Sequence, residues 1–112
     1  MGFLMNRGDI VICVLKGDYG KPRPAVVIQS DLFNLTHTSI TICPITSYLI
    51  DAPLFRITLI PSEFNNLLSP SQIMVDKITS IKSEKITKKI GELALKEVLK
   101  LNKALKLWLS LK

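Results

Sequence analysis

The sequence is poor in the residue types that build metal sites and disulfide frameworks. It has one histidine, His37, and two cysteines, Cys13 and Cys43, which lie far apart and each within an apolar run. Neither cysteine belongs to a C-x-x-C pair or to another zinc-ligand spacing. We therefore predict no metal site and no cofactor, and we expect both cysteines to be buried, reduced thiols.

The chain also lacks a long apolar segment at its start. The first five residues are followed at once by the polar Asn6 and the charged Arg7. Such a short apolar stretch cannot serve as a signal peptide or span a membrane. We therefore expect a cytoplasmic protein with no membrane partner.

Linkers, repeats and low-complexity stretches are absent from the 112 residues, and this length fits one domain, residues 1–112.

Aromatic residues make up only 6% of the chain, and no pair of them marks a platform for stacking nucleic-acid bases. Tyr19, Phe33 and Tyr48 are candidates for such stacking, and each is equally compatible with a place in the core or on the surface.

Positive charge is present in excess and is unevenly placed. The formal net charge is +6, and residues 77–112 contain ten lysines and three glutamates, a net of +7, whereas residues 1–76 contain five basic and six acidic residues, a net of −1. A basic C-terminal third attracts a polyanion such as RNA or an acidic protein segment. The other interpretation is a solvated lysine face that keeps the protein soluble.

Most of the chain reads as β-structure. β-Branched or alternating apolar residues, separated by glycine, proline, aspartate and serine, predict strands at residues 10–15, 24–29, 38–45, 55–60 and 72–81. Residues 83–93 are ambiguous, with a short strand possible at 89–91. This pattern predicts a mainly β fold, an antiparallel barrel of five to six strands closed by one C-terminal α-helix.

The predicted helix covers residues 93–111 and is amphipathic. At 100° per residue, one arc holds the apolar residues Leu95, Val98, Leu101, Leu105, Trp108 and Leu109. The other arc holds Lys96, Lys100, Lys103 and Lys106. Because Ala94 offers no capping side chain at the start, we expect a weakly held first turn.

The most distinctive stretch is K-P-R-P-A-V-V-I-Q-S at residues 21–30, in which Arg23 stands between two prolines at the start of a predicted strand. Pro24 makes Arg23 extended, and Pro22 does the same for Lys21. A guanidinium held in this way can donate two parallel hydrogen bonds to phosphate oxygens. The alternative is a solvated arginine at the end of a rigid loop.

Several motifs, in order along the chain, resemble the MazF/PemK ribonuclease toxins of bacterial toxin–antitoxin pairs. The motifs are R-G-D-I-V at 7–11, R-P-A-V-V-I-Q at 23–29, C-P-I-T-S at 43–47, V-D-K-I-T-S-I at 75–81, K-I-G-E-L at 89–93 and A-L-K-L-W-L-S-L at 104–111. The resemblance implies a homodimeric SH3-like barrel that cuts single-stranded RNA without a metal ion. It also implies 2′,3′-cyclic phosphate ends and inhibition by a cognate antitoxin protein.

The same resemblance implies roles for individual residues. Arg23 and Thr46 correspond to the two side chains that this family uses at the scissile phosphate. From the residues themselves, Ser47 would point to the opposite face of a continuing strand and is a supporting residue, and Pro24 fixes Arg23. Lys21, Lys77 and Asp18 are further candidates for binding RNA.

The proton acceptor is left open between Asp76, which matches an aspartate of some relatives, and Asp18, the only acid in the loop between the first two strands. The alternatives are a turn residue beside glycine for Asp18 and a strand-end hydrogen bond for Asp76. Where several relatives carry arginines this chain has Met74 and Thr79, and Lys77 is the residue available to compensate. His37 matches no site of the family, and we interpret it as a loop residue.

Two other functions are compatible with the same barrel. A gyrase poison of the CcdB type shares the fold, but that group relies on a terminal tryptophan-glycine-isoleucine, whereas Trp108 here precedes Leu109 and Ser110. A non-catalytic SH3-like nucleic-acid-binding protein would bind RNA in a salt-dependent way and leave it intact.

Overall fold

A computed structural model describes residues 4–112, in which seven strands precede one helix. The strands are β1 (Asp9–Val14), β2 (Pro22–Val27), β3 (Ser39–Thr46), β4 (Arg56–Leu59), β5 (Ser71–Met74), β6 (Thr79–Lys82) and β7 (Ile86–Glu92), and the helix is α1 (Leu95–Trp108). The mainly β fold with a C-terminal helix is therefore confirmed, with seven strands in place of the five or six expected.

All strand pairs are antiparallel, in the order β4-β5-β3-β2-β1-β7. The long strand β3 has two partners on one side, because it pairs with β6 through Ser39–Ile42 and with β5 through Ile45 and Thr46. This change of partner along β3 turns the sheet into a curved barrel with β1, β2 and β3 at its centre.

The single strand predicted at residues 72–81 is wrong. The chain forms β5, then a 3₁₀ turn at Val75–Lys77, and then β6. Val75 is fully buried and its carbonyl oxygen accepts a hydrogen bond from the Ile78 amide at 3.2 Å. Before the turn the chain, as β5, pairs with β4, and after it the chain, as β6, pairs with residues 39–42 of β3. One straight strand could not reach both.

Strand β2 begins at Pro22, two residues before the predicted start, so Arg23 lies within a strand and not in a loop. The Val27 carbonyl faces β1, where it accepts a hydrogen bond from Gly8, and the Ile28 amide faces β3, where it bonds Thr41. By strand alternation, residues 22 and 24 also face β3, but prolines have no N–H to donate. Pairing between β2 and β3 accordingly starts only at Ala25.

Two hydrophobic clusters lie on opposite faces of the central strands. In β2, Val26 packs into the cluster that contains helix α1, whereas Ala25 and Val27 pack into the second cluster with Cys13 and Met5. Burial on both faces explains why the central strands read as continuous apolar runs in the sequence.

Helix α1 packs through Leu101, Ala104 and Leu105, and the predicted lysine stripe is exposed, as expected. The predicted apolar arc is too wide, because Leu95 is 74% exposed and Trp108 and Leu109 are each 46% exposed. Ala94 makes no side-chain capping bond, as expected, but Glu97 accepts a hydrogen bond from the Ala94 amide at 2.8 Å and satisfies one free N–H. Within residues 4–112, no helix has the length and apolar character needed to cross a membrane.

Gly91 on β7 leaves no space for a side chain. A Cβ atom there would lie 2.5 Å from the Phe64 carbonyl oxygen and 2.7 Å from the Asn65 backbone. That backbone cannot shift easily, because the Asn65 side chain is buried and hydrogen-bonds Ile60, Ser62 and Leu67.

We therefore expect Gly91→Ala to lower the free energy of unfolding by about 3 kcal/mol, the upper end of the cost of overpacking. Urea denaturation followed by circular dichroism measures this change. The matched control is Thr79→Ala, an exposed strand position where a change within about 0.5 kcal/mol is expected. Equal stability of the two variants would show that the loop at Phe64 yields freely.

Candidate functional site

A cleft of about 890 Å³ opens beside the proline-flanked start of β2, where β2 and β3 are not yet paired. Its walls come from the β1–β2 loop, the adjacent ends of β2 and β3, the segment before β5, and β7. Its lining residues are Ile12, Leu15, Asp18, Pro22, Arg23, Pro24, Pro44, Ile45, Thr46, Ser47, Asn66, Leu67, Leu68, Ser69, Ser71, Met74, Thr87, Lys88 and Ile90.

The cleft brings together five of the eight residues that the sequence singled out. These are Asp18, Arg23, Pro24, Thr46 and Ser47. The other three, Lys21, Asp76 and Lys77, are not among the residues that line it. Lys21 and Lys77 are both exposed, and besides Arg23 the nearby Lys21 helps to lower the pKa of the Asp18 carboxyl.

Arg23 forms a two-point ion pair with Asp18. Its Nε donates to Asp18 Oδ2 at 2.7 Å and its Nη2 donates to Oδ1 at 3.2 Å. The hydrogen bond from Arg23 lowers the pKa of the Asp18 carboxyl, and the same bond raises the pKa of the Arg23 guanidinium. Both groups are therefore charged at neutral pH, and the pair is lost only when acid brings the pH down through the lowered pKa of Asp18.

The β1–β2 loop carries Asp18 back over the strand that holds Arg23. Three of its residues have positive φ angles, Gly17 at 82°, Tyr19 at 52° and Gly20 at 75°. The Asp18 amide bonds the Leu15 carbonyl at 3.2 Å, and the Asp18 carbonyl accepts from the Lys21 amide at 3.0 Å. The sequence suggested a turn residue or a proton acceptor at Asp18 but did not predict its pairing with Arg23.

Thr46 lies at the end of β3 with its hydroxyl oxygen accepting a hydrogen bond from the Tyr48 amide at 3.1 Å. Within residues 4–112, the structure contains no hydrogen bond donated by this hydroxyl, so its proton is available to a ligand. Continued by two residues, the register that pairs Ala25 with Pro44 brings Thr46 level with Arg23. The neighbouring Ser47 is exposed at the same end of the cleft.

Asp76 lies in the 3₁₀ turn after β5 and is paired with Arg56 of β4. Arg56 Nε donates to Asp76 Oδ1 at 2.9 Å, and the two side chains are only 9% and 18% exposed. This geometry is typical of a structural tie between β4 and the turn. A role for Asp76 as proton acceptor stays a prediction, and its position outside the cleft does not favour it.

Strand β7 contributes cleft residues that the sequence did not identify. Lys88 lies opposite Ile12 of β1 and adds a second cation to the lining, and the Thr87 hydroxyl donates to the Ile12 carbonyl at 3.2 Å. The next residue, Lys89, is engaged elsewhere, at 3.2 Å from the buried Asp9. Only the pairing of β7 with β1 reveals these positions, and residues 83–93 gave no clear strand pattern in the sequence.

The two cysteines are buried, free thiols, as predicted. Burial raises the pKa of Cys13 to about 11 and that of Cys43 to about 12. Both thiols are protonated at neutral pH and cannot act as nucleophiles. Within residues 4–112, no three His, Cys, Asp or Glu side chains lie close enough together to hold a metal ion.

The cleft thus offers a guanidinium, a hydroxyl proton and a carboxylate, with a further ammonium group on β7. Guanidinium and hydroxyl donors that face the same space bind oxyanions, and a phosphodiester is the oxyanion that the forked geometry of arginine suits best. A nearby carboxylate can accept a proton from a hydroxyl group of the bound molecule.

Residues 6–109 match the family model described as the PemK-like, MazF-like toxin of type II toxin–antitoxin systems. The chain is 38% identical over 108 residues to a probable endoribonuclease MazF of Mycolicibacterium smegmatis. The matched region covers 96% of this chain and 98% of the relative. The chain is 32% identical over 117 residues to the endoribonuclease MazF9 of Mycobacterium tuberculosis, with the same coverage.

Solved structures of similar fold include the Mycobacterium tuberculosis toxin MazF-mt6, with a TM-score of 0.81 and 22% identity over 93% of this chain and 98% of the other. An endoribonuclease in complex with its cognate antitoxin from a mycobacterial species has a TM-score of 0.82 and 19% identity, with coverage of 96% and 97%. These likenesses confirm the barrel fold that the sequence motifs implied.

Proposed function

Because the chain belongs to the PemK-like, MazF-like toxins of type II toxin–antitoxin systems, we propose that it is an endoribonuclease that cleaves single-stranded RNA without a metal ion. The observation that carries this proposal is the presence of Arg23 and Thr46 among the residues that line one cleft.

The proposed reaction is an internal transfer at phosphorus. The ribose 2′-oxygen attacks the adjacent phosphorus and loses its proton, the bond to the 5′-oxygen breaks, and that oxygen takes up a proton. The products are a 2′,3′-cyclic phosphate and a 5′-hydroxyl. Negative charge develops on the phosphoryl oxygens, where the N–H groups of Arg23 and the O–H group of Thr46 stabilise it.

The geometry favours Asp18 over Asp76 as the acceptor of the 2′-hydroxyl proton. Asp18 lines the cleft and is ionised at neutral pH, and the hydrogen bond from Arg23 lowers its pKa further below the ordinary value. Asp76 is held by Arg56 and lies outside the cleft lining. Ser47, Pro24 and Lys88 line the same space, where Ser47 and Lys88 would hold flanking phosphates.

We also propose that the protein is a cytoplasmic homodimer with a cognate antitoxin as its partner. Exposed apolar side chains at the end of α1, Leu107, Leu109 and Leu111, provide surface for such contacts. The lysines on the outer face of α1 would attract an acidic antitoxin segment. A mycobacterial relative of known structure was solved with its cognate antitoxin.

The test is incubation of the purified protein with a mixed pool of long single-stranded RNA in excess EDTA, followed by sequencing and chemical analysis of the ends. We expect cleavage with cyclic phosphate ends. We expect Thr46→Ala to be slower by about 10²-fold, the loss found on removing one donor to a developing oxyanion. Lys96→Ala, which removes an exposed helix lysine, is the matched control and should cleave normally.

Two outcomes would favour the other functions. Intact RNA together with gyrase inhibition would indicate a gyrase poison. RNA that is bound in a salt-dependent way and recovered intact would indicate a non-catalytic binding protein.

A further inference from the structure

We infer that Asp18 occupies Arg23 in the free protein as a stand-in for the RNA phosphate, and that RNA binds by displacing it. The inference rests on the proposed function, because it takes the phosphodiester of single-stranded RNA as the incoming ligand. In the free protein Asp18 thus acts through Arg23, before it serves as the proposed proton acceptor.

The carboxylate already holds the hydrogen bonds that a phosphate would need. Nε and one terminal nitrogen of Arg23 point at the two oxygens of Asp18, at 2.7 and 3.2 Å. A phosphodiester presents its two non-bridging oxygens to the same fork of N–H donors. Asp18 and RNA therefore cannot both hold this edge of the guanidinium.

The pair is placed where exchange can occur. The side chain of Arg23 is 42% exposed and that of Asp18 is 26% exposed, and both line the open cleft. Within residues 4–112, the Asp18 carboxylate accepts hydrogen bonds from Arg23 alone. Release of Asp18 thus breaks one solvent-accessible ion pair and no other side-chain hydrogen bond of the carboxylate among the described residues, and solvent screens such a pair.

The pair has two consequences for RNA. Before binding, it keeps the guanidinium aimed and cancels its charge, so the pair itself adds no net charge to the cleft. After binding, it leaves a free carboxylate beside the phosphate. RNA affinity is therefore reduced by the need to replace Asp18, in the way that a competing intramolecular ligand reduces affinity.

The experiment measures the affinity of a mixed-sequence single-stranded 2′-O-methyl oligonucleotide, which lacks the attacking hydroxyl, by fluorescence anisotropy at fixed salt. We expect Asp18→Asn to bind at least fivefold more tightly than the original protein. Asp51→Asn removes the same charge at an exposed position outside the cleft, and it measures the general effect of charge. Asp18→Glu, which keeps a carboxylate, should bind close to the original affinity.

The same comparison is repeated with Arg23→Ala. Because Asp18 acts through Arg23, we expect Asp18→Asn to give no gain beyond that of Asp51→Asn in this background. The inference is overturned if Asp18→Asn binds no more tightly than Asp51→Asn, if its gain persists without Arg23, or if neither the original protein nor Asp18→Asn binds. RNA cleavage in EDTA reports separately on the proposed function. Cleavage by a protein whose Asp18→Asn variant does not bind more tightly rejects only this inference. Tighter binding by Asp18→Asn without any cleavage by the original protein rejects only the nuclease function.

Discussion

Replacement of Arg23 by alanine is expected to lower the rate of RNA cleavage by about 10²–10³-fold, the loss that follows removal of one preorganised donor to a developing oxyanion. The folded structure should persist, because Arg23 is half exposed and β2 is held to β1 through its backbone. Single-turnover cleavage of a short RNA at saturating protein concentration measures the effect on chemistry, separate from binding.

Arg23→Lys is the informative companion variant. It keeps the positive charge but loses the fork of N–H donors, so we expect most of the loss to remain. Full activity of Arg23→Lys would mean that the site needs only a positive charge. Full activity of Arg23→Ala, with a normal circular dichroism spectrum, would remove Arg23 from the reaction.

Replacement of Asp76 by alanine is expected to lower the free energy of unfolding by about 3 kcal/mol, because it leaves the guanidinium of Arg56 buried and unpaired. Arg56 is only 9% exposed and its fork is held by Asp76 at 2.9 and 3.4 Å. Urea denaturation measures the change. Glu63→Ala, which removes an exposed carboxylate without an ion pair among the described residues, is the control and should change stability little.

A double replacement separates structure from chemistry at this position. Arg56→Met with Asp76→Leu removes both charges and should recover most of the lost stability, because a buried ion pair can be exchanged for apolar side chains of similar volume. We expect the folded double variant to cleave RNA, since Asp76 lies outside the cleft. A stable double variant that has lost cleavage would instead identify Asp76 as the proton acceptor.

The strands and the helix could be predicted from the sequence wherever burial gives the apolar residues a clear pattern, either continuous or periodic. Ile10 to Val14 and the residues after Pro24 read as strands because both faces of β1 and β2 are covered. The division between β5 and β6 could not be read, because Val75, Asp76 and Lys77 continue a strand-like pattern. The turn there is fixed by the pairing of Asp76 with Arg56, twenty residues earlier in the chain.

The candidate site, too, could be predicted from the sequence only in part. Arg23 and Thr46 stand out in the sequence through the prolines and the P-I-T-S motif, and the cleft brings them together. The ion pair of Arg23 with Asp18 depends on the path of the β1–β2 loop, which includes a left-handed tyrosine, Tyr19. Since tyrosine does not signal that conformation as glycine does, the pair could not be predicted from the sequence.

The two prolines at the start of β2 also limit how a partner can enter the cleft. An extended peptide that adds to a sheet edge relies on a continuous row of backbone donors and acceptors. The side of β2 that faces the cleft has no N–H at residues 22 and 24. A protein or nucleic-acid segment bound there must be recognised mainly by side chains, and strand-by-strand self-association of the toxin through this opening is disfavoured.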